Sequence, residues 1–171
     1  KELLVWAKQL AARFREAFWC EVGEDRFPAI ALDGQKRRVD SVTSNIGHLL
    51  GTGLLNRDEE KLVVERLMRP DMQDGFGLRT MASSEAAYNP LSYHCGTIWA
   101  HDTAVVMANL MRAGFRDEAR TLADGLSRSA ALFEQRMPEL YSGEGHGIPY
   151  PASCRPQAWS AAAGVVAALM G

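Results

Sequence analysis

Connections of two lengths alternate along this chain, and that alternation restricts its fold more than any other feature. Helix-periodic segments come in pairs, while long irregular stretches, Asp71 to Ile98 and Arg136 to Arg155, separate the pairs. Leu3, Trp6, Leu10, Phe14 and Phe18 recur on one helix face, which predicts an amphipathic helix of about five turns. Glu21 to Asp25 breaks it. Phe27 to Leu32, Asp33-Gly34 and Gln35 to Val39 read as a small β-hairpin, because Asp-Gly tolerates the positive φ angles of a tight turn. Thr43 or Ser44 caps a second helix that runs to Gly51 or Gly53. Asn56-Arg-Asp-Glu59 has the form of a capping box for a third, which Pro70 stops after Arg69. Trp99 to Ala113 is a fourth helix, closed by Gly114, and Arg116 to Gln135 a fifth, so these two form an antiparallel hairpin. Pro156 suits the first turn of a sixth.

Long loops between pairs and short ones within them are what a toroid of helical hairpins shows, with the long loops on one face. A plain six-helix bundle is the alternative, but bundles favour uniformly short connections. The expected class is therefore all-α, about three hairpins with one small β-hairpin, in a single unit over residues 1–171. A composition of 47% apolar and 23% charged residues is that of a globular chain. A net charge of -2 gives no reason to expect nucleic acid or an anionic membrane as partner. No apolar run is long enough to span a bilayer, and the start lacks a secretory pattern. Cys20, Cys95 and Cys154 fit neither a disulfide framework nor a zinc pattern, which favours a reducing cytoplasm. His48, His94, His101 and His146 show no ligand spacing, so neither a metal nor another cofactor is expected. Helical periodicity runs up to both ends, as in a piece of a longer protein.

The chemistry gathers in the long loops. Tyr88 to Asp102 carries aromatics, two histidines and a carboxylate, and feeds straight into the fourth helix; such loops are where rigid scaffolds place small-molecule sites. Met137-Pro-Glu-Leu-Tyr141 offers a second loop, expected to face the first across a sugar pocket. Glu139, restricted by Pro138 and beside Tyr141, could act as a general base on water; it could equally cap a helix or pair with Arg136. Tyr93, Trp99, Tyr141 and Trp159 could wall a sugar ring, or could be ordinary core. His94, Arg79 and Asp102 have the donors and acceptors to hold hydroxyls, although Arg79 and Asp102 could instead pair with each other. Trp6 and Trp19 read as core.

Gly75-Phe-Gly-Leu-Arg-Thr80, Tyr88 to Asp102, Pro138-Glu-Leu-Tyr141 and Pro149 to Trp159 together resemble the C-terminal part of bacterial glycogen debranching enzymes of the amylo-α-1,6-glucosidase type. Asp33-Gly34 and Thr43 to Leu50 resemble the same family. The resemblance implies about the last half of an (α/α)6 toroid of six-hairpin glycosidases, and inverting hydrolysis of α-1,6-linked glucose in glycogen-like glucans. It implies that Glu139 is the general base and that Tyr93, His94 and Trp99 lie on the sugar face, with Trp159 in the matching Pro-Gln-Ala-Trp segment. Cys95 and Ala100 depart from the family pattern, and no motif for its general acid, an upstream aspartate, is present. The implied partners are a glucan substrate and the N-terminal half of a parent protein, without which the chain is expected to be inactive and to form a homodimer. Two other readings stay open: a non-catalytic glucan-binding or scaffold module, and another six-hairpin enzyme of invertase-like, trehalase-like or sugar-epimerising type.

Overall fold

The computed structural model describes residues 1–144 and 146–170. Helix α1 (Glu2–Phe18) leads directly into an antiparallel hairpin, β1 (Trp19–Val22) and β2 (Asp25–Pro28), turned at Gly23 with φ 60°. The stretch expected only to break the helix thus pairs, with Phe27 opposite Cys20 and both buried. Phe27 and Pro28 belong to this hairpin rather than the next. The hairpin foreseen around Asp33-Gly34 is shorter than expected, β3 (Ala31–Leu32) against β4 (Arg38–Val39). Asp33 organises its turn: Oδ1 accepts from the amides of Gln35 and Arg37, and Oδ2 from Arg37 Nε at 2.7 Å.

The second expected helix is a 3₁₀ helix, Ser44–Leu49. Ser44, Asn45 and Gly47 contribute little helix propensity. Packing explains the rest, because a Cβ on Gly47 would stand 2.7 Å from the Val106 side chain. The segment therefore packs closely on the later helix that carries Val106. Helix α2 (Arg57–Leu67) carries the foreseen capping box, with Asn56 accepting from the amides of Asp58 and Glu59 while Glu59 accepts from the Asn56 amide.

Helices α3 (Ala100–Ala113) and α4 (Arg116–Leu132) form the antiparallel hairpin. Gly114 takes the left-handed conformation at φ 84°, and the Phe115 amide bonds back to the Leu110 carbonyl at 2.9 Å, closing the last turn. Helix α4 ends at Leu132, short of the expected Gln135. Helix α5 (Ala158–Ala168) packs on both, and Pro156 lies just outside it rather than in its first turn. Central α3 touches the 3₁₀ helix, α4 and α5, so one apolar core runs from Phe27 and Ile46 through Val106 and Leu110 to Leu126 and Phe133. The architecture is mostly helical with small hairpins.

One expectation about the core is overturned. Trp19 is buried, but Trp6 is 56% exposed and Leu3 82% exposed. The apolar face of α1 is real, yet among the described residues its first turns stay exposed. No helix among the described residues is long and apolar enough to cross a membrane.

Candidate active site

The two chemistry-bearing loops meet. A third pairing, β5 (Ile98–Trp99) with β6 (Leu140–Tyr141), sets Ile98 opposite Tyr141 and Trp99 opposite Leu140. So short a ladder needs help, and two glycines provide it. A Cβ on Gly143 would overlap the Gly96 carbonyl, and the Gly143 amide donates to the Pro90 carbonyl at 2.9 Å. Gly96 itself has φ 151°, where a Cβ would run into the Asn89 carbonyl. The backbones pass too closely for side chains. A third loop joins them, since the Glu139 amide donates to the Cys154 carbonyl at 2.8 Å.

This crossing brings Glu139 to Tyr93. The Tyr93 hydroxyl donates to Glu139 Oε1 at 2.8 Å. That bond to a carboxylate holds the phenol above the usual tyrosine range, so it stays protonated and donating. The Tyr93 ring stands edge-on to Trp99, His94 and Tyr150, while His94 stacks nearly parallel on Trp99 at 5.5 Å. Trp99 is fixed through its indole N–H, which donates to the Tyr93 carbonyl at 3.0 Å and to Thr97 Oγ1 at 3.1 Å.

Trp99 also contributes to a cavity of about 470 Å³, walled by the 3₁₀ helix and the start of α3. Thr43, Ser44, Asn45, Thr80, His94, Trp99, His101 and Asp102 contribute to it. Asp102 lies in the first turn of α3, where a carboxylate is favoured. His48 Nε2, on the 3₁₀ helix, lies 2.6 Å from Asp102 Oδ1. Burial pushes the Asp102 carboxyl up, but the bond to His48, the nearby Ser44 hydroxyl and the His48 and His101 charges outweigh it and hold it below the usual carboxylate range. The same bond raises His48, against a smaller opposing effect of burial.

The remaining candidates are placed differently. Arg79 does not face the cavity: its guanidinium is buried and committed to the carbonyls of Gly143 and Pro70 and to Asp74. It does not pair with Asp102. Tyr141 is inside the core, its hydroxyl donating to the Phe76 carbonyl at 2.7 Å, and burial pushes that hydroxyl far up. Both therefore support the loops from behind. Trp159, 65% exposed, stands edge-on to His101 at the start of α5. Thus Tyr93, His94, Trp99, His101 and Trp159 form a chain of ring contacts leading away from Glu139. Sequence reasoning missed the roles of His48, Ser44, Asn45 and His101, and the only signal was their place in motif-rich stretches. Among the described residues, no cluster of three or more His, Cys, Asp or Glu could hold a metal ion.

A family model described as the mannosylglycerate hydrolase MGH1-like glycoside hydrolase domain matches residues 1–153. No curated protein matches the chain in sequence. Among solved structures, an uncharacterized conserved protein from Thermus thermophilus covers 94% of the chain at TM-score 0.65 and 18% identity. The GH63 mannosylglycerate hydrolase of the same organism, in complex with glucose, covers 95% at TM-score 0.66 and 18% identity. Its complex with Tris covers 96% at TM-score 0.58 and 17% identity. The chain spans 36–37% of the length of these proteins. At such identities the likeness is one of fold, and it accords with part of a six-hairpin toroid. The family match reaches a glycoside hydrolase, as the loop motifs imply, but not a debranching enzyme specifically.

Proposed function

Because the chain belongs to the mannosylglycerate hydrolase MGH1-like glycoside hydrolase domain family, we propose that it is the C-terminal part of a glycosidase catalytic domain in which Glu139 is the general base. The observation that carries this reading is the 2.8 Å bond to Glu139 from Tyr93, which is 39% exposed and packs edge-on against the buried Trp99 ring. A carboxylate fixed by one donor keeps its other oxygen for a water molecule, and an aromatic wall suits the C–H face of a sugar. In an inverting reaction, Glu139 takes a proton from that water as it attacks the anomeric carbon. A second carboxylic acid, about 6.5–9.5 Å away, protonates the leaving oxygen. We assign that acid to the N-terminal half of the parent protein, which also completes the toroid.

Two substrate classes fit the proposal. The ordered loop motifs favour an α-1,6-linked glucose at a branch point of a glycogen-like glucan. The family match favours a short glycoside such as mannosylglycerate. Hydrolysis of a singly α-1,6-branched maltosaccharide and of mannosylglycerate by the longer protein separates them.

The base assignment has its own test. Glu139→Gln in the longer protein is expected to lower turnover roughly 10²–10⁴-fold while sugar binding survives. Unchanged hydrolysis would remove Glu139 from the mechanism, and substantial turnover by the 171-residue chain alone would refute the shared site.

A further inference from the structure

We propose that Tyr93 is a positioning residue for Glu139: by donating to Oε1 at 2.8 Å, its hydroxyl aims the second carboxylate oxygen at the attacking water. The proposal deepens the general-base reading, on which it rests. The resemblance in the loop motifs implies only that Tyr93 lies on the sugar face, and it gives the hydroxyl no such task.

A glutamate side chain turns about several single bonds, so a half-buried carboxylate samples many orientations unless something holds it. The fold fixes the backbone of Glu139: its amide donates to the Cys154 carbonyl at 2.8 Å, and the next residue, Leu140, pairs with Trp99. Those bonds place the Cα and leave the side chain free to turn. The bond from Tyr93 supplies the restraint at the reacting end. A general base must keep a lone pair on the line of its water, and a misplacement of about 1 Å costs on the order of 10²-fold in rate. No proton leaves Tyr93 in this role: the proton of the water goes to Glu139, and the phenol keeps its own.

The tyrosine is itself anchored at both ends. Its carbonyl accepts from the Trp99 indole N–H and from the Thr97 hydroxyl, each at 3.0 Å, and Thr97 is buried. Its ring is braced edge-on by His94, Trp99 and Tyr150, with centroids 4.7 to 5.7 Å away. Tyr150 belongs to the same loop as Cys154, so one loop braces both the phenol and the carboxylate it bonds. A residue restrained in this way can impose an orientation on its partner instead of following it. A ring that only walled a sugar would need no hydroxyl, whereas here the hydroxyl makes the contact with Glu139.

The test is Tyr93→Phe, which keeps the ring and removes the hydroxyl. In the longer protein, on whichever of mannosylglycerate and the branched maltosaccharide it hydrolyses, kcat is expected to fall about 10- to 100-fold, as for loss of a hydrogen bond to a charged acceptor, with KM changed less than about threefold. Added to Glu139→Gln, the substitution is expected to slow hydrolysis no further, because both changes act through one group. In the 171-residue chain at neutral pH, Tyr93→Phe is expected to move the carboxyl-carbon NMR signal of Glu139, and Glu139→Gln the Cζ signal of Tyr93. A kcat kept within about threefold, a raised KM at unchanged kcat (the mark of a sugar wall), or signals that ignore both substitutions would each overturn the proposal. Hydrolysis lost in Glu139→Gln but kept in Tyr93→Phe sinks this proposal alone. Hydrolysis unchanged by Glu139→Gln removes the base assignment and this proposal with it.

Discussion

The ion pair between His48 and Asp102 ties two walls of the cavity together, and its pH dependence can be worked out from the direction of each shift. His48 is raised in the folded protein, so its contribution to stability is complete below the ordinary histidine value of about 6.5. It is lost as pH rises through the higher folded value. Asp102 is lowered, so its contribution is present above the ordinary carboxylate value of about 3.9 and lost as pH falls through the lower folded value. The pair therefore stabilises most between these limits. Urea midpoints of the wild type are expected to decline as pH rises above about 6.5, and His48→Gln to flatten that decline. Parallel decline in both proteins would show that another group is responsible. None of this was legible from residue type alone, because a lone histidine near a helix looks the same whether it is solvated or paired.

At the scale of elements, the loops are held less by the two-residue ladder than by the crossing of Gly96 and Gly143. Gly143→Ala would place a methyl group where the Gly96 carbonyl lies. Forced overpacking of this kind costs about 1–3 kcal/mol, and here the cost falls on the contact that brings Glu139 to Tyr93. The expected outcome is a lower denaturant midpoint together with loss of turnover in the longer protein. An alanine variant as stable and active as the wild type would mean that the loops do not need this approach. The helices themselves were far more readable: the capping box at Asn56 and the left-handed Gly114 are local signals found at the places expected. The 3₁₀ helix was misread as a full helix, because its packing depends on the close approach of Gly47 to Val106, a residue far along the chain.

For the whole molecule, the exposed apolar surface decides behaviour in solution. Leu3 and Trp6 on α1, Trp159 and Val165 on α5, and Leu169 just after α5, are all more than half exposed. Apolar patches of this kind favour association. Light scattering of the 171-residue chain is expected to show dimers or larger species, and replacing Leu3 and Trp6 by glutamate to shift them toward monomer. A wild-type chain that stays monomeric at high concentration would count against this. The periodicity of α1 was correctly read as amphipathic; the error was to place Trp6 in the core, since among the described residues the first turns of that face stay exposed.

By themselves, the amino acids determined where most helices begin and end, and which loops hold aromatic, imidazole and carboxylate groups. Those features depend on neighbours within a turn or two, such as a cap, a breaker or a repeat of 3.6 residues. Tertiary structure alone decided that Tyr93 meets Glu139 and His48 meets Asp102, separated by 46 and 54 positions, and that Arg79 and Tyr141 serve as buried supports. Contacts at that separation depend on how the hairpins pack and the glycine-bearing loops cross, and no short window of sequence carries that information.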